Sequence, residues 1–552
     1  MSNLELRLLS SLAKVLPHQC PPARPEKEWL STLNGEKVSL QLAYLHKKGG
    51  REWGRLKIDA PPELTINIRR VRYMHGSISD DYKLDDNYLE NEKGGLFPDL
   101  LEPIDPNRLP LIPGVWQCCW LDIETRPNTK PGSYAISISV ENKNGEVTCT
   151  NTSIRVIAAD LPLSDIIHTR WFHTDCLAQY YNVDVFSDRH WEIIENFAAC
   201  AAQHGINTLL TPIHTPPIDT EVGGERLTVQ LIDVTVEGDK YAFGFENLER
   251  WVEMCHRAGI EYYEMAHLFT QWGAAHAPKI MGTKDGQYVK LFGWETNSIG
   301  PEYANYLRQM LPALCDKLRE LGIADKTFFH ISDEPQLKHM EHYSGAYEIV
   351  APFLKDFKIA DALTNYEFYE KGAVSVPIPA VDHIEPFLDK NLPELWCYYC
   401  CVQSYEVPNL FLMMPSYRHR ILGALLYKYD IKGFLQWGYN FYNCMHSVYP
   451  VDPYISTDAD GTFPSGDAFI VYPGQDGKPL ASLRLMVMKE LFNDICAFKL
   501  LEKYIGREAV LNVIEGGLQE PLTFKRYPHS EEYMLSLRYR VNEMIEKHSK
   551  SS

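Results

Sequence analysis

Residues 303–335 read YANYLRQMLPALCDKLRELGIADKTFFHISDEP, and this stretch decides the fold of the larger part of the chain. Apolar residues recur at helical spacing from Tyr303 to Leu321, Gly322 follows, and an apolar segment from Thr327 to Ile331 comes next. Glycine allows the left-handed turn that ends many helices, so this order predicts a helix, a corner and a short strand. The strand then leads into two consecutive carboxylates.

The same order recurs along the chain between about residues 160 and 500. Alternating helices and short apolar strands predict parallel strands joined by helical crossovers. The predicted strands are Thr169–His173, Thr208–Ile213, Ile260–Leu268, Thr327–Ser332, Ile359–Leu363, Ala380–His383, Leu395–Cys400 and Gly433–Trp437. Eight such strands favour a closed (β/α)8 TIM-type barrel, and no glycine-rich phosphate-binding sequence follows any of them.

The N-terminal part has a different period. From about Val38 to Ala159 apolar and polar residues alternate, as in Leu64, Ile66 and Ile68, and residues 142–145 supply the asparagines and glycine of a hairpin turn. Repeated strands without intervening helices predict an antiparallel β-sandwich of immunoglobulin-like type. The predicted domains are a sandwich over residues 1–160, a barrel over 161–505 and a short helical C-terminal tail over 506–552.

Composition narrows the possible partners. The 552 residues include 73 acidic and 54 basic side chains, a net charge of −19, which opposes binding to nucleic acids or anionic membranes. No run of about 20 apolar residues and no leader-like segment is present, so we expect a cytoplasmic protein. The 13 cysteines are expected to be reduced thiols.

Catalytic groups of such barrels lie where the strands end at their carboxyl side, and polar or aromatic side chains follow all eight predicted strands. Asp333 and Glu334 are the most informative pair. A carboxylate next to a buried strand pays a desolvation cost, and two neighbouring like charges raise one pKa, which suits a general acid. Because Pro335 disfavours the helical region for the residue before it, we expect Glu334 to be extended.

Adjacent carboxylates also restrict the mechanism. A retaining or inverting glycosidase normally needs two acids about 5 Å or about 6.5–9.5 Å apart, on either side of the sugar. Neighbouring residues suit substrate-assisted hydrolysis instead, in which a 2-acetamido group of the sugar is the nucleophile. Two alternatives stay open: a conventional two-carboxylate glycosidase that uses Glu334 with Asp175, Glu264 or Asp382, and a non-catalytic carbohydrate-binding protein.

Four blocks carry a resemblance to glycoside hydrolase family 123, also described as domain of unknown function 4091. They are His330–Pro335, Trp396–Cys401, Ile431–Gly438 and Gly466–Gly474 with Ser482–Arg484. The resemblance implies a β-N-acetylgalactosaminidase in which Glu334 is the general acid/base and Asp333 stabilises the acetamido group. Gln436 departs from the pattern, because an aromatic residue is common there.

The resemblance and the strand-end positions together suggest a substrate site for a small glycoside or oligosaccharide with a terminal N-acetylhexosamine. The expected aromatic walls are Trp396, Tyr398 and Trp437, and the candidate hydroxyl ligands are His214, His330, Asn365 and Asn440. We expect no metal and no organic cofactor, since the histidines His214, His267 and His383 come from separate strands without close ligand spacing. Cys397 and Cys400 form a single CxxC, which we interpret as two thiols of a strand.

Overall fold

The computed structural model describes residues 3–22, 30–89, 94–390 and 392–549. The backbone forms two compact units that interleave along the chain. The first consists of Met1–Ser164, Ser404–Tyr429 and Leu480–Ser552, and the second of Asp165–Gln403 and Asp430–Pro479. The three domains predicted in chain order stay a prediction.

The first unit contains two five-stranded sheets. Its strands are β1 (Leu4–Ser10), β2 (Ser31–Asn34), β3 (Lys37–His46), β4 (Glu52–Asp59), β5 (Leu64–Ser77), β6 (Gly94–Pro103), β7 (Leu109–Leu111), β8 (Trp116–Thr125), β9 (Gly132–Glu141) and β10 (Val147–Asp160). One sheet has the order β1-β3-β8-β5-β6 and the other β2-β10-β9-β4-β7. All neighbours are antiparallel except β2 and β10, which run parallel.

The apolar alternation of the strands explains this packing. Buried side chains from both sheets, among them Leu42 of β3 and Ile138 of β9, form one hydrophobic core. The predicted hairpin is confirmed, because Val147 pairs with Glu141 across the turn. The antiparallel sheets expected at the N-terminus are therefore present, and the immunoglobulin-like type stays a prediction.

The rest of the chain alternates strands and helices. In order they are β11 (Ile167–Arg170), α1 (Thr174–Tyr181), α2 (Asp188–Gln203), β12 (Thr208–Thr211), β13 (Asp233–Glu237), β14 (Lys240–Gly244), α3 (Glu246–Ala258), β15 (Tyr262–Met265), β16 (Ile280–Lys284), β17 (Gln287–Phe292), α4 (Pro301–Glu320), β18 (Thr327–Phe329), α5 (Met340–Val350), β19 (Lys358–Leu363), α6 (Glu367–Glu370), β20 (Val376–Pro379), α7 (Glu385–Leu388), β21 (Trp396–Tyr398), α8 (Ser416–Arg420), α9 (Leu422–Lys428), β22 (Gly433–Gln436), β23 (Val471–Pro473), β24 (Pro479–Ala481), α10 (Leu483–Ile505), α11 (Arg507–Glu515) and α12 (Glu531–Ser549).

Eight of these strands form a parallel sheet with the order β20-β19-β18-β15-β12-β11-β22-β21. A parallel bridge between Ala380 and Tyr398 brings its two ends together, so the sheet is barrel-like and consistent with a TIM-type barrel. The predicted corners are present: Gly259 has φ +87° and its N–H donates to the carbonyl oxygens of Cys255 and His256 at the end of α3. The periodicity of the sequence thus predicted the strands of this sheet, with the exception of the sixth.

The sixth strand was predicted at the wrong place. It lies at Val376–Pro379 rather than at residues 380–383. Prolines discourage a strand interpretation because they lack an N–H. A parallel strand directs alternate N–H groups to its two neighbours, so Pro377 and Pro379 remove donors on one side only. This agrees with the continuous pairing of the strand to β19 and the single bridge from Ala380 to β21.

Buried ion pairs join the helices of the first unit to one of its sheets and to each other. The guanidinium of Arg484 on α10 donates two hydrogen bonds of 2.9 Å to Asp99 on β6. Arg538 on α12 bonds Asp494 on α10 at 3.0 Å. In the described parts of the chain, no helix combines the length and apolarity that crossing a bilayer requires. The cytoplasmic location stays a prediction.

Candidate active site

A cavity opens in the second unit, where the parallel strands end at their carboxyl side. Its lining comprises Trp171, Ile218, Asp219, Gln271, Trp272, Asp333, Glu334, Ala362, Tyr398, Cys400, Cys401, Leu435, Trp437 and Phe463. These residues come from, or follow, seven of the eight strands, so the lining is assembled by the strand order and not by one loop.

The two consecutive carboxylates both line this cavity. Glu334 has φ +45°, so the prediction of an extended conformation is wrong. Proline disfavours the right-handed helical region for the preceding residue but does not exclude the left-handed one, and backbone hydrogen bonds fix the turn. The Glu334 N–H donates to the Ala362 carbonyl at 3.1 Å, and the Trp272 N–H donates to the Asp333 carbonyl at 2.8 Å. A non-glycine residue in this region costs on the order of 1–3 kcal/mol, a cost found mainly at functional sites.

Burial changes the titration of both acids. It raises the pKa of Asp333 well above its ordinary value, and the neighbouring charge of Glu334 raises it further. Burial also raises the pKa of Glu334, while a hydrogen bond from Tyr398 acts in the opposite direction. The Tyr398 hydroxyl donates to Glu334 Oε1 at 2.6 Å. The pair therefore favours one shared negative charge over two.

A buried histidine, His330, precedes Asp333 and Glu334 in the chain. The ring of His330 contacts Glu264 Oε1 through Nε2 at 2.5 Å and Asp361 Oδ1 through Nδ1 at 3.1 Å. Burial alone would lower the pKa of His330, but the hydrogen bonds to Asp361 and Glu264 raise it to about 10. Each ring nitrogen of His330 thus has a buried carboxyl partner, an arrangement that favours the protonated ring.

This Glu264–His330–Asp361 network also positions the cavity wall. The Asp361 carboxylate accepts the Ile331 N–H at 3.0 Å, two residues before Asp333. Glu264 accepts the indole N–H of Trp171 at 2.9 Å, and Trp171 lines the cavity. One set of buried charges thus orients both the backbone that carries the acids and an aromatic side chain beside them.

A second aromatic side chain of the cavity wall, Trp437, is also oriented by a hydrogen bond to a buried carboxyl group. The indole N–H of Trp437 donates to Asp467 Oδ2 at 2.8 Å, and its ring contacts Phe463 edge-on at 5.4 Å between centroids. Gln436 Nε2 donates to the same carboxylate at 3.2 Å. Burial raises the pKa of Asp467 to about 7, although both hydrogen bonds oppose that rise. Gln436, the departure from the family pattern, therefore helps to orient an aromatic wall.

Of the seven predicted substrate ligands, the structure brings Tyr398 and Trp437 to the cavity with the two acids. Trp396 is buried, and its ring lies against Gly433, where an added Cβ would come within 2.2 Å of the indole. It packs edge-on against Phe328 at 5.0 Å. Trp396 thus fills space between strands and lies outside the cavity lining.

The four polar candidates also lie outside that lining. The ring Nε2 of His214 is 2.8 Å from the carbonyl oxygen of His267, and burial lowers the pKa of His214 to about 4. Asn440 accepts the His173 N–H at 2.9 Å and donates to the His173 carbonyl at 3.0 Å, which clamps two strand ends together. His330 belongs to the buried network, and Asn365 follows β19.

The three carboxylates considered as alternative partners of Glu334 have other contacts. Asp175 forms a buried ion pair with Arg226 at 2.7 Å. Asp382 accepts from Gln403 at 3.0 Å, and Glu264 belongs to the His330 network. None of the three lines the described cavity.

Sequence reasoning missed Asp219, which also lines the cavity. Its Oδ2 accepts the His446 N–H at 2.9 Å, and burial raises its pKa. Asp219 has φ +41°, Trp272 +59° and His446 +62°. These residues lie in loops without periodicity, so the only available signal was that each follows a predicted strand.

Comparisons with known proteins agree with this architecture. The sequence model of the glycoside hydrolase 123 catalytic domain matches residues 171–501. No curated protein matches the chain in sequence. A family 123 glycoside hydrolase from Clostridium perfringens, solved in a study of glycolipid glycan hydrolysis, has a TM-score of 0.73 at 15% identity, over 99% of this chain and 97% of that one. A putative beta-galactosidase from Bacteroides fragilis has a TM-score of 0.32 at 8% identity, over 87% and 60%.

Proposed function

Because the chain belongs to glycoside hydrolase family 123, we propose that it removes a terminal β-linked N-acetylhexosamine, with N-acetylgalactosamine as the preferred sugar. The acetamido group of the substrate is the nucleophile, and the configuration at the anomeric carbon is retained. The proposal needs no metal and no organic cofactor. Its substrates are glycosides with that sugar at their non-reducing end.

One observation carries the proposal: two consecutive carboxylates line a single cavity, and both have raised pKa values. Consecutive residues do not naturally lie on opposite sides of one sugar ring, which a direct double displacement requires. They can instead act on two groups at the same end of the ring. These groups are the oxygen that leaves and the acetamido arm that attacks.

In the first step Glu334 gives its proton to the glycosidic oxygen while the acetamido oxygen attacks the anomeric carbon. The bond to the leaving group breaks and a cyclic oxazolinium ion forms. Asp333 accepts the amide N–H and faces the positive charge that develops on that ring. In the second step Glu334, now ionised, takes a proton from water, and the resulting hydroxide equivalent opens the ring from the side that the leaving group occupied.

In this sequence the negative charge shared by the pair lies on Asp333 when the substrate binds, and the proton lies on Glu334. Burial raises the pKa of Asp333 in the free protein, so the ionised form is costly until a positive charge arrives. The oxazolinium supplies that charge only after the glycosidic bond begins to break. Stabilisation is therefore larger in the transition state than in the ground state, which is the condition for catalysis.

The identity of the sugar and the removal of terminal units rest on the resemblance to the family. The Clostridium perfringens relative was studied for hydrolysis of glycolipid glycans. By analogy we include glycolipid head groups among the candidate substrates of this chain.

A second candidate is a conventional glycosidase that acts on sugars without an acetamido group. The presence of Asp219 in the cavity lining favours it, because a third carboxylate could serve as nucleophile while Glu334 is the acid. The two candidates predict different substrates. Asp219→Asn would abolish hydrolysis in the second case and would affect mainly substrate binding in the first.

A panel of four aryl β-glycosides tests the proposal: N-acetylgalactosaminide, N-acetylglucosaminide, galactoside and glucoside, with the same phenol. We expect hydrolysis of the two acetamido sugars, faster for the galacto form, and no turnover of the other two above the Glu334→Gln background. Equal rates for the galactoside and the N-acetylgalactosaminide would exclude participation of the acetamido group. Binding without turnover of any of the four would indicate a carbohydrate-binding protein.

A further inference from the structure

Two consecutive thiols line the same cavity. Cys400 and Cys401 follow β21 and share the lining with Glu334 and Tyr398. Neither forms a disulfide, and both are partly exposed. Cys397, the other half of the CxxC, is completely buried in the strand and lies outside the lining. The pair that faces the cavity is therefore the adjacent one, not the CxxC.

The pair is held in place by neighbouring polar groups. The Cys400 N–H donates to Gln403 Oε1 at 2.9 Å, and its thiol donates to the same oxygen at 3.3 Å. Gln403 Nε2 in turn donates to Asp382 at 3.0 Å. The side chain of Cys401 contributes to raising the pKa of Cys400, and both residues line the same cavity. A bidentate ligand would thus find both sulfur atoms close together without a large rearrangement.

We propose that Cys400 and Cys401 form a dithiol site for trivalent arsenicals, and that an arsenical bound there closes the active-site cavity. Sulfur is the soft ligand that such an atom prefers. The bound group would lie beside Glu334 and Tyr398, where the sugar is expected. Binding itself does not depend on which sugar the enzyme accepts, so the inference stands apart from the proposed specificity.

The reaction balances without an oxidant. An organic arsenic(III) oxide, R–As=O, forms one As–S bond to each cysteine, and the two thiol protons leave with the oxygen as water. The oxidation state of arsenic does not change. The hydrogen bond from Cys401 and burial raise the pKa of Cys400, so its thiolate is scarce at neutral pH. Single-site alkylation should therefore be slow there, whereas chelation by two sulfurs compensates for weak nucleophilicity.

A metal ion fits these thiols less well. Structural zinc takes four protein ligands, and the described residues contain no group of three or more histidine, cysteine or acidic side chains that could hold a metal. An arsenical that already carries an organic substituent needs only two sulfurs. Two sulfurs therefore suit such an arsenical better than a structural zinc ion.

The chain provides an internal control. Cys118 and Cys119 are also consecutive, but they lie on β8, where neighbouring side chains point to opposite faces of the sheet, and both are buried. They cannot chelate one atom without disrupting the sandwich. The arsenical should thus bind Cys400–Cys401 and not Cys118–Cys119, although both pairs have the sequence Cys-Cys. The exposed single thiols Cys20 and Cys149 control for monodentate attachment.

The experiment uses the full chain and phenylarsine oxide. Intact mass measures the number of arsenicals bound, and alkylation after unfolding identifies the protected cysteines. We expect one arsenical per chain on Cys400 and Cys401, released by a dithiol but not by a monothiol. Cys400→Ser and Cys401→Ser should each weaken binding by about 10²-fold or more. In each variant the arsenical can form only one As–S bond to the site, so the affinity gained from the second, intramolecular bond is lost. Cys118→Ala should leave the affinity unchanged.

Protection of Cys118–Cys119 or of single exposed thiols, or equal affinity of the serine variants, would refute the site. Mapping on the wild-type chain gives this answer even if a variant does not fold. Binding at Cys400–Cys401 that leaves hydrolysis of the preferred aryl glycoside unchanged would refute closure of the cavity. Mass is read independently of turnover, so a wrong substrate assignment cannot imitate either result.

Discussion

The hydrogen bond between Tyr398 and Glu334 should set the alkaline limit of activity. The Tyr398 hydroxyl donates to Glu334 Oε1 at 2.6 Å and favours the ionised carboxylate. A hydrogen bond to a charged group is worth about 1.5–3 kcal/mol, and 1.36 kcal/mol corresponds to one pKa unit. Because Trp272 also hydrogen-bonds to Glu334, we take the lower end of this range. Tyr398→Phe should raise the pKa of Glu334 by about one unit.

The sign follows from the role of Glu334 as an acid. Only its protonated form can start the reaction, so kcat/KM falls as pH rises through its pKa in the free enzyme. Raising that pKa moves the alkaline limb of the profile to higher pH, even though the variant is slower overall. The assay is kcat/KM from pH 4 to about pH 9 with an aryl β-N-acetylgalactosaminide, for the wild type and the variant.

Tyr399→Phe is the matched control, because the neighbouring residue is a buried tyrosine that lies outside the cavity lining and packs on Phe434. Its alkaline limb should coincide with that of the wild type. An alkaline limb that is unmoved in Tyr398→Phe, or that moves to lower pH, would refute the assignment of Glu334 as the acid controlled by this hydrogen bond.

Three further outcomes follow from the same geometry. Glu334→Gln should lower kcat/KM by about 10²–10⁴ for alkyl glycosides and by less for acidic phenols, which leave without a proton; a loss independent of the leaving group would contradict acid catalysis. Asp333→Asn should reduce kcat by a comparable factor with little change in sugar affinity measured by calorimetry, and a wild-type kcat would contradict charge stabilisation. Asp361→Asn should lower the free energy of unfolding in urea by about 3–5 kcal/mol, because His330 loses one of two buried carboxylate partners; an unchanged midpoint would show that this pairing contributes little.

The parts of the fold with regular periodicity could be predicted from the sequence. The strand of residues 327–329 lies within its predicted range, and the left-handed Gly259 ends its helix as expected. The sixth strand was wrong because Pro377 and Pro379 argue locally against pairing, while tertiary context supplies a neighbour on one side only. Local sequence patterns fail to predict a strand when a strand distant in sequence determines which of its backbone N–H groups must form hydrogen bonds.

The candidate site was predictable to a smaller extent. Position after a strand singled out Asp333, Glu334 and Tyr398, which line one cavity in the structure, and their roles stay predictions. It could not distinguish residues that face the cavity from those that join neighbouring strands, as Asn440 does with His173. That choice depends on side-chain direction at the strand end, which sequence spacing does not determine.

The cavity residues in loops were the hardest to predict from the sequence. Asp219 and Trp272 adopt left-handed backbone conformations in irregular segments, where neither propensity nor period applies. The left-handed turn at Glu334 is the same kind of feature, held by a hydrogen bond to Ala362 from the next strand. Such conformations are imposed by the assembled barrel.

The central claim is that the acetamido oxygen of the sugar attacks the anomeric carbon. Successive replacement of the N-acetyl hydrogens by fluorine makes that oxygen a weaker nucleophile while it changes the size of the group little. For aryl glycosides with mono-, di- and trifluoroacetamido groups, we predict that kcat/KM falls steadily with each fluorine. Rates that do not depend on fluorination would contradict substrate assistance and would direct attention to Asp219 as the nucleophile.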